Sequence, residues 1–291
     1  MLHNNPRISL VVSTLGRRGA LERALESFMR QTMTDFEVIV VDQNREGYLD
    51  EIIKRFSKEL QILWIRAERG ASRGRNIGLQ HARAEIVGFP DDDCWYEPGV
   101  CQCVLNYFAS MPTLQFLTGR TVDREGNPSV SQFRAKAGAI LRREVFVAGN
   151  TNTFFLRRDS AFSVGGFDEG IGPAPSDGPQ SGEETDLMIR CIDRGFETYY
   201  DPAFTVFHDQ VATDRSEKTL RRTKDYSVGF GYVICKHGFG SLYLSYRVAR
   251  SIAKAMIHVA QFDPWNARLR LAWARGTVRG FLMCAASAAA K

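Results

Sequence analysis

Four short apolar runs, each ending in polar residues and separated by helical patterns, constrain this chain more than anything else in it. Ile8-Ser9-Leu10-Val11-Val12-Ser13 leads into a Gly-containing turn, and Phe36-Glu37-Val38-Ile39-Val40-Val41 ends at Asp42. Gln61-Ile62-Leu63-Trp64-Ile65 and Ile86-Val87-Gly88-Phe89 follow. Uninterrupted runs of this length, rich in β-branched residues, read as buried strands. Between the first two, Leu21, Ala24, Leu25 and Phe28 recur at helical spacing, with Glu22, Arg23 and Arg30 off that face. Further helices are expected through Ile52, Ile53 and Phe56 and over 74–82. Alternation of this kind predicts an α/β fold, a mostly parallel sheet covered on both faces. Right-handed crossovers then bring the strand ends to one edge, so that Ser13, Thr14, Asp42 and Asp91-Asp92-Asp93 share a crevice.

Beyond Asp93 the pattern changes. Runs 116–122 and 151–156 read as strands separated by irregular, polar sequence. Gly165-Gly166-Phe167-Asp168-Glu169-Gly170 opens a long loop that Pro173, Pro175, Gly178, Pro179 and Gly182 continue. A loop of that length in a compact domain is expected to be a lid or mobile segment. It ends at Glu183-Glu184, which open a helix containing Leu187, Ile189, Arg190 and Ile192. Two strands are expected next, over 196–200 and 204–207, with His208 directly after the second. From about Arg215 the chain turns helical and basic. Arg247, Arg250 and Lys254 share one helical face, with Val248, Ile252, Ala255, Met256 and Val259 on the other. Asp263-Pro264 breaks that helix, Trp265, Arg268, Arg270, Trp273, Arg275 and Arg279 continue its character, and the Ala-rich end is expected to fray. The expected division is a domain over 1–212, with halves of about 1–95 and 96–212, and a basic helical extension over 213–291.

Composition removes several classes of function. Net charge is +5, and the basic residues crowd the last third, which points to an anionic surface or anionic substrates. No zinc finger, basic zipper or aromatic-rich RNA-binding signature accompanies them, so nucleic acid is not expected. Six cysteines without paired spacing disfavour both structural zinc and a disulfide framework. The start lacks an apolar leader, and no apolar run approaches the roughly 20 residues that span a bilayer. The expected address is therefore cytoplasmic, with peripheral contact to the inner face of a membrane left open.

The chemistry falls on four elements. Asp91, Asp92 and Asp93 offer oxygen ligands that suit Mg²⁺ or Mn²⁺, and such an ion can in turn hold a diphosphate. Asp42 can accept hydrogen bonds from a base or sugar edge. Arg73, Arg75 and Asn76 lie near a helix start, where guanidinium groups and backbone N–H groups favour phosphate oxygens. In Gly182-Glu183-Glu184-Thr185-Asp186-Leu187 an acid can take a proton from an attacking hydroxyl, although acids in a first helical turn are also explained by the helix dipole alone. His208 can complete a metal site or make a plain structural hydrogen bond.

Taken in order, Ser9–Thr14, Phe36–Asp42, Arg75-Asn76-Ile77-Gly78, Phe89-Pro90-Asp91-Asp92-Asp93-Cys94, Gly165–Glu169 and Gly182–Leu187 resemble the motifs of family 2 glycosyltransferases over roughly residues 7–210. The resemblance implies a GT-A (nucleotide-diphospho-sugar transferase) fold and inverting transfer from a nucleotide sugar to a glycan or lipid-linked glycan acceptor. By motif position Asp42 meets the base, with the backbone of Ser13-Thr14 nearby. Asp91 and Asp92 face ribose and sugar, Asp93 is the principal metal ligand, and His208 matches a histidine that reaches the metal in some members. The family's usual Glu-Asp pair is here Glu183-Glu184, so Glu184 is the expected base, with Glu183 and Asp186 as alternatives. Pro90 ahead of three acids also departs from the usual pattern, which leaves the roles within the triplet open. Two other classes remain. A sugar-phosphate nucleotidylyltransferase would need a glycine-rich loop where this chain has Ser13-Thr14-Leu15-Gly16-Arg17-Arg18. A non-catalytic nucleotide-sugar-binding scaffold would keep the acids without turnover. The basic helices are either a solvated face or a surface, including Trp265 and Trp273, that docks on an anionic membrane.

Overall fold

The structure is a computed structural model that describes residues 5–173, 178–210 and 214–289. Pro175, expected in the loop, lies outside the described residues. The chain divides into two compact units, Met1–Phe167 with Leu187–Val211, and Asp168–Asp186 with Ala212–Lys291.

The first unit is built on a mixed sheet. Its leading half alternates β1 (Ile8–Thr14), α1 (Arg18–Met29), β2 (Phe36–Asp42), α2 (Asp50–Phe56), β3 (Ile62–Arg66), α3 (Ala71–His81) and β4 (Ile86–Gly88). The rest comprises β5 (Cys94–Trp95), α4 (Val100–Ser110), β6 (Leu114–Val122), β7 (Gly138–Ala139), β8 (Phe155–Arg157) and α5 (Arg158–Ser163), and later β9 (Glu197–His208). α6 (Glu183–Asp193) precedes β9, and its first turn falls in the second unit. Strand order is β3-β2-β1-β4-β8-β6-β9-β5, with β7 paired to β9. The four leading strands are parallel, whereas β8 runs antiparallel to both β4 and β6. This is a central sheet flanked by helices, as the resemblance leads one to expect. Leu10, Val11 and Val12 are all fully buried although they point to opposite faces, as a sheet covered on both sides requires. Leu21, Ala24, Leu25 and Phe28 form the buried face of α1, as their spacing predicts.

Three expectations change. The run 151–156 is not one strand: Thr151–Thr153 form a 3₁₀ turn, and the strand starts at Phe155. The Thr153 hydroxyl bonds to the Asn150 carbonyl at 2.9 Å and to the Thr118 hydroxyl at 2.8 Å, so side-chain bonding displaces the ladder there. The two strands expected over 196–207 are one strand, β9. The Asp201-Pro202 break becomes a register irregularity against β6, where the pairing passes from Thr118↔Tyr200 to Arg120↔Thr205. α4 lies in a stretch for which no element is expected. Its buried face is Val100, Cys101, Val104, Leu105 and Phe108, and the helical period emerges only when cysteine is counted as a small hydrophobe.

The second unit contains α7 (Glu217–Lys236), α8 (Gly240–Ala260) and α9 (Pro264–Ala289). α7 and α9 meet backbone to backbone. A Cβ on Gly231 would overlap the Thr277 carbonyl, and one on Gly280 would overlap the Val228 carbonyl. The Ala-rich end does not fray within the described residues: α9 continues through Ala289, because alanine is the best helix former. No helix among the described residues is long and apolar enough to cross a membrane.

Candidate functional site

The parallel register sets Thr14, Asp42 and Arg66 side by side at the carboxyl edge of the sheet. α3 lies unusually close to that edge because Gly74 and Gly78 carry no side chain. A Cβ on Gly74 would overlap the Ser13 Oγ, and one on Gly78 would overlap Val11. The start of α3 is fixed by Gln43, whose amide donates to the Gly70 carbonyl at 2.8 Å and accepts from the Gly70 N–H at 3.1 Å. Gly70 has φ of 142°, a conformation that glycine tolerates. Helix α3 therefore begins at Ala71, three residues before the expected start. Arg73 is in its first turn, exposed and paired with Glu68 at 2.5 Å, and Arg75 is a half-turn further along.

The three acids after β4 are held in three different ways. Asp91 accepts from Arg75 at 2.7 Å, and its N–H donates to the Asn152 side chain at 3.2 Å. Arg75 is itself buried, with its guanidinium 5.3 Å from the centre of the Phe167 ring. Asp92 is buried and accepts from the Thr14 hydroxyl at 2.7 Å and from Arg17 at 3.1 Å. Burial pushes its carboxyl up to about 6, although the Thr14 bond and the Arg17 charge oppose the rise. Asp93 pairs with Arg17 and with His208, whose Nε2 lies 3.4 Å from its Oδ1. Burial works to raise Asp93, but the His208 hydrogen bond and the Arg17 charge outweigh it and hold the group below its ordinary value. Conversely, burial works to lower His208 and the Asp93 contact overcomes it, so its imidazole is raised. The β5–β9 pairing, with Cys94 opposite His208, is what brings these distant residues together.

Other expected residues reach the edge but face elsewhere. Asp42 is fully buried, with Oδ1 accepting from the Asn44 backbone and side chain at 2.8 Å each and Oδ2 from the Trp64 indole at 3.2 Å. The Asn76 amide is doubly bonded to the Phe167 backbone, at 2.9 and 2.8 Å, so it fixes the chain entering the Gly/Pro-rich loop.

In the second unit, the first turn of α6 sorts its acids by burial. Glu183 is 5% exposed and Asp186 is 0% exposed, while Glu184 is half-buried. Asp186 meets Lys236 Nζ at 2.6 Å and His237 Nε2 at 2.8 Å, and Lys236 also reaches Asp168 at 2.5 Å. The turn before α6 is pressed on α7: Gly182 has φ of 101°, and a Cβ there would crowd Val233.

Sequence reasoning missed Arg17, Asn44, Asn152, Lys236 and His237. Arg17 alone had a visible signal, its place in the turn after the first strand. The others are recognisable only once the fold brings them to an acid.

No group of three or more acid, histidine or cysteine side chains among the described residues is gathered closely enough to cage an ion. The residues nonetheless fit a hard cation. Asp93 is held charged beside an imidazole, a two-donor set that phosphate oxygens and water would have to complete, as at other Mg²⁺ and Mn²⁺ sites.

Residues 9–165 match the model of glycosyl transferase family 2. A protein from Haemophilus influenzae described as an uncharacterized glycosyltransferase is 22% identical over 254 residues, 78% of this chain and 83% of that one. The GalNAc(5)-diNAcBac-PP-undecaprenol beta-1,3-glucosyltransferase of Campylobacter jejuni is 26% identical over 52% of this chain, and the chain spans only 50% of its length. Among solved structures, the mannosyltransferase PcManGT of Pyrobaculum calidifontis, in complex with GDP-Man and Mn²⁺, superposes with a TM-score of 0.66. That likeness covers 96% of this chain and 88% of that one at 14% identity. Staphylococcus aureus TarS 1-349 in complex with UDP-GlcNAc gives 0.58 at 14% identity, over 93% and 92% of the two chains.

Proposed function

This chain belongs to glycosyl transferase family 2, and from that premise we propose that it moves a sugar from a nucleotide-sugar donor to an acceptor hydroxyl, with inversion and with a divalent metal. The observation that carries the reading is the Asp93–His208 pair beside an acid edge already neutralised by Arg17 and Arg75. Such an edge binds an anion by exchanging one negative partner of the arginines for another, so phosphate enters without leaving a cation bare. Asp42, saturated by Asn44 and Trp64, acts by shaping the base pocket, and Asn44 presents the loop to the donor. Asp92, tied to Thr14, sets the orientation of its two neighbours.

Asp93 and His208 would hold the metal, with Asp91 adjacent, and the mixed carboxylate–imidazole set favours Mn²⁺ over Mg²⁺. When bound, the ion stabilises the charge that builds on the leaving nucleoside diphosphate. Glu184 is the base that takes the proton of the acceptor hydroxyl, because it is the most exposed acid of its turn and lies at the motif position. Asp186, clamped by Lys236 and His237, positions that turn rather than reacting. Direct attack with departure of the diphosphate inverts the anomeric carbon.

The acceptor we propose is a lipid-linked glycan in bacterial surface polysaccharide or glycoconjugate synthesis, handled on the cytoplasmic side. Support comes from the undecaprenol-linked acceptor in the name of the Campylobacter relative. The test is release of UDP or GDP from a panel of nucleotide sugars with Mn²⁺, with Mg²⁺ and with chelator. Metal-dependent release is the expected result. Metal-dependent donor binding without release, across acceptors, would replace the reading with that of a non-catalytic binding protein.

A further inference from the structure

α8 is built the wrong way round for a helix on a water-facing surface. Its buried side is small, with Ser251 and Ala255 set against α9 and the Ser251 hydroxyl donating to the Arg270 carbonyl at 2.9 Å. Its large apolar side chains point outward instead. Leu242 is 86% exposed, Tyr246 57%, Met256 62% and Ile257 55%, and helical spacing puts all four on one stripe. An apolar stripe over about four turns marks an interaction surface, where single exposed apolar residues would not.

The end of the helix repeats the point. Phe262 has φ of 54°, a left-handed conformation that residues with side chains disfavour. The turn there, with Phe262 N–H on the Val259 carbonyl and Asp263 N–H on the His258 carbonyl, is one that glycine ordinarily occupies. Here it carries a phenyl ring that is 93% exposed.

Charge identifies the occupant. α8 contains no acid, and from Gly240 to Ala289 the single acid Asp263 faces seven arginines and lysines. Arg250 and Lys254 flank the stripe, and Arg270 of α9 joins them. Arg270 and Arg250 lie near enough to depress the lysine's ammonium below its ordinary value. A second copy of this face would set the same cations against each other across a two-fold axis, with no acid in α8 to answer them. Anionic headgroups answer them directly. By contrast, the tryptophans expected to take part belong to the helical packing: the Trp273 ring is tilted against Phe230 with centres 5.7 Å apart, and Arg268 covers the Trp265 ring at 5.9 Å.

We infer that the outward face of α8, with Phe262 at its end, is the surface on which this protein lies against an anionic phospholipid membrane. Leu242, Tyr246, Met256, Ile257 and Phe262 enter the acyl boundary, and Arg250, Lys254 and Arg270 meet headgroup phosphates. The inference deepens the lipid-linked acceptor reading, but its test needs no turnover.

The full chain is sedimented with phosphatidylcholine vesicles, with and without phosphatidylglycerol, at low and high salt. Binding is expected with phosphatidylglycerol at low salt and is lost at high salt or on neutral vesicles. Arg250→Glu with Lys254→Glu should lower partitioning at least about tenfold, since each basic residue near an anionic surface contributes about 1 kcal/mol. Phe262→Gly separates docking from folding, because it relieves the backbone: it should raise the unfolding temperature and still weaken binding several-fold. No sedimentation of the wild type at low salt overturns the inference, as does equal binding by all three proteins. A dimer in solution that Phe262→Gly dissociates would assign the face to self-association instead. Loss of nucleoside diphosphate release with vesicle binding intact would count against the transfer reading alone.

Discussion

The acids after β4 and the acids opening α6 look alike in sequence, yet the structure holds them by opposite means. Asp91, Asp92 and Asp93 draw their counter-charges from a helix, a turn and a strand end, through Arg75, Arg17 and His208. Arg17 is 54% exposed in its side chain, so the cation shared by Asp92 and Asp93 is also the one best able to change partner. In the α6 turn, Asp186 is 0% exposed and is gripped by two consecutive residues at the end of one helix. A cluster neutralised by cations from separate elements, one of them exposed, is arranged to admit an anion. One neutralised by a single buried helix end is arranged to hold backbone in place. Under the proposed function, burial separates working from positioning acids in each trio, where adjacency in sequence does not.

The largest expected effect falls on the first cluster. Asp93→Ala should abolish metal-dependent donor binding, measured by calorimetry with and without Mn²⁺. Retained metal dependence would transfer the metal to Asp91 and break the contrast drawn within the triplet. Next comes Glu184→Gln, expected to lower turnover by about 10²–10⁴-fold while leaving donor affinity near normal. Near-normal turnover would move the base to Glu183 or Asp186. The comparison is sharpened by Asp186→Ala, whose loss should register as stability. Removing one partner of a buried ion pair costs about 3–5 kcal/mol, read as a lower urea midpoint. If Asp186→Ala unfolds normally but loses turnover as deeply as Glu184→Gln, Asp186 is catalytic and the positioning role is wrong.

The leading half of the sheet was legible because parallel strands buried on both faces leave continuous apolar runs, and such runs define their own ends. Thr14, Asp42 and Asp91 to Asp93 were placed at one edge for that reason, and the structure puts them there. What each acid bonds to was not legible. His208 meets Asp93 through a two-residue strand, β5, too short to announce itself, and Asp42 turns toward Trp64 of β3, a partner set by register alone. The trailing half was harder because antiparallel insertion of β8 and a bulged β9 break the alternation from which the first half was read. In the helical unit, spacing groups Val248, Ile252, Ala255, Met256 and Val259 opposite the basic residues of α8 but does not say which of them is covered: Ala255 is buried, whereas Ile252, Met256 and Val259 are exposed.

The smallest expected effect concerns how the α6 clamp responds to pH. Lys236 is opposed by burial, but the Asp186 charge and the hydrogen bonds to Asp168 and Asp186 raise it above its ordinary 10.5. Burial likewise works against Asp168, and the Lys236 bond prevails and holds it below 3.8. A raised lysine contributes stability that is complete below 10.5 and is lost as pH rises through its folded value. A lowered aspartate contributes stability that is complete above 3.8 and is lost as pH falls through its folded value. The clamp is therefore flat across the neutral range and weakens at both extremes. Lys236→Met should destabilise by about 1–3 kcal/mol at neutral pH, as for other hydrogen bonds to charged groups. The gap between wild type and variant should stay constant from about pH 6 to about pH 8 and narrow only in strong acid or base. A gap that closes within the neutral range would mean that Lys236 does not carry the charge opposite Asp186, and the clamp would not be a fixed support.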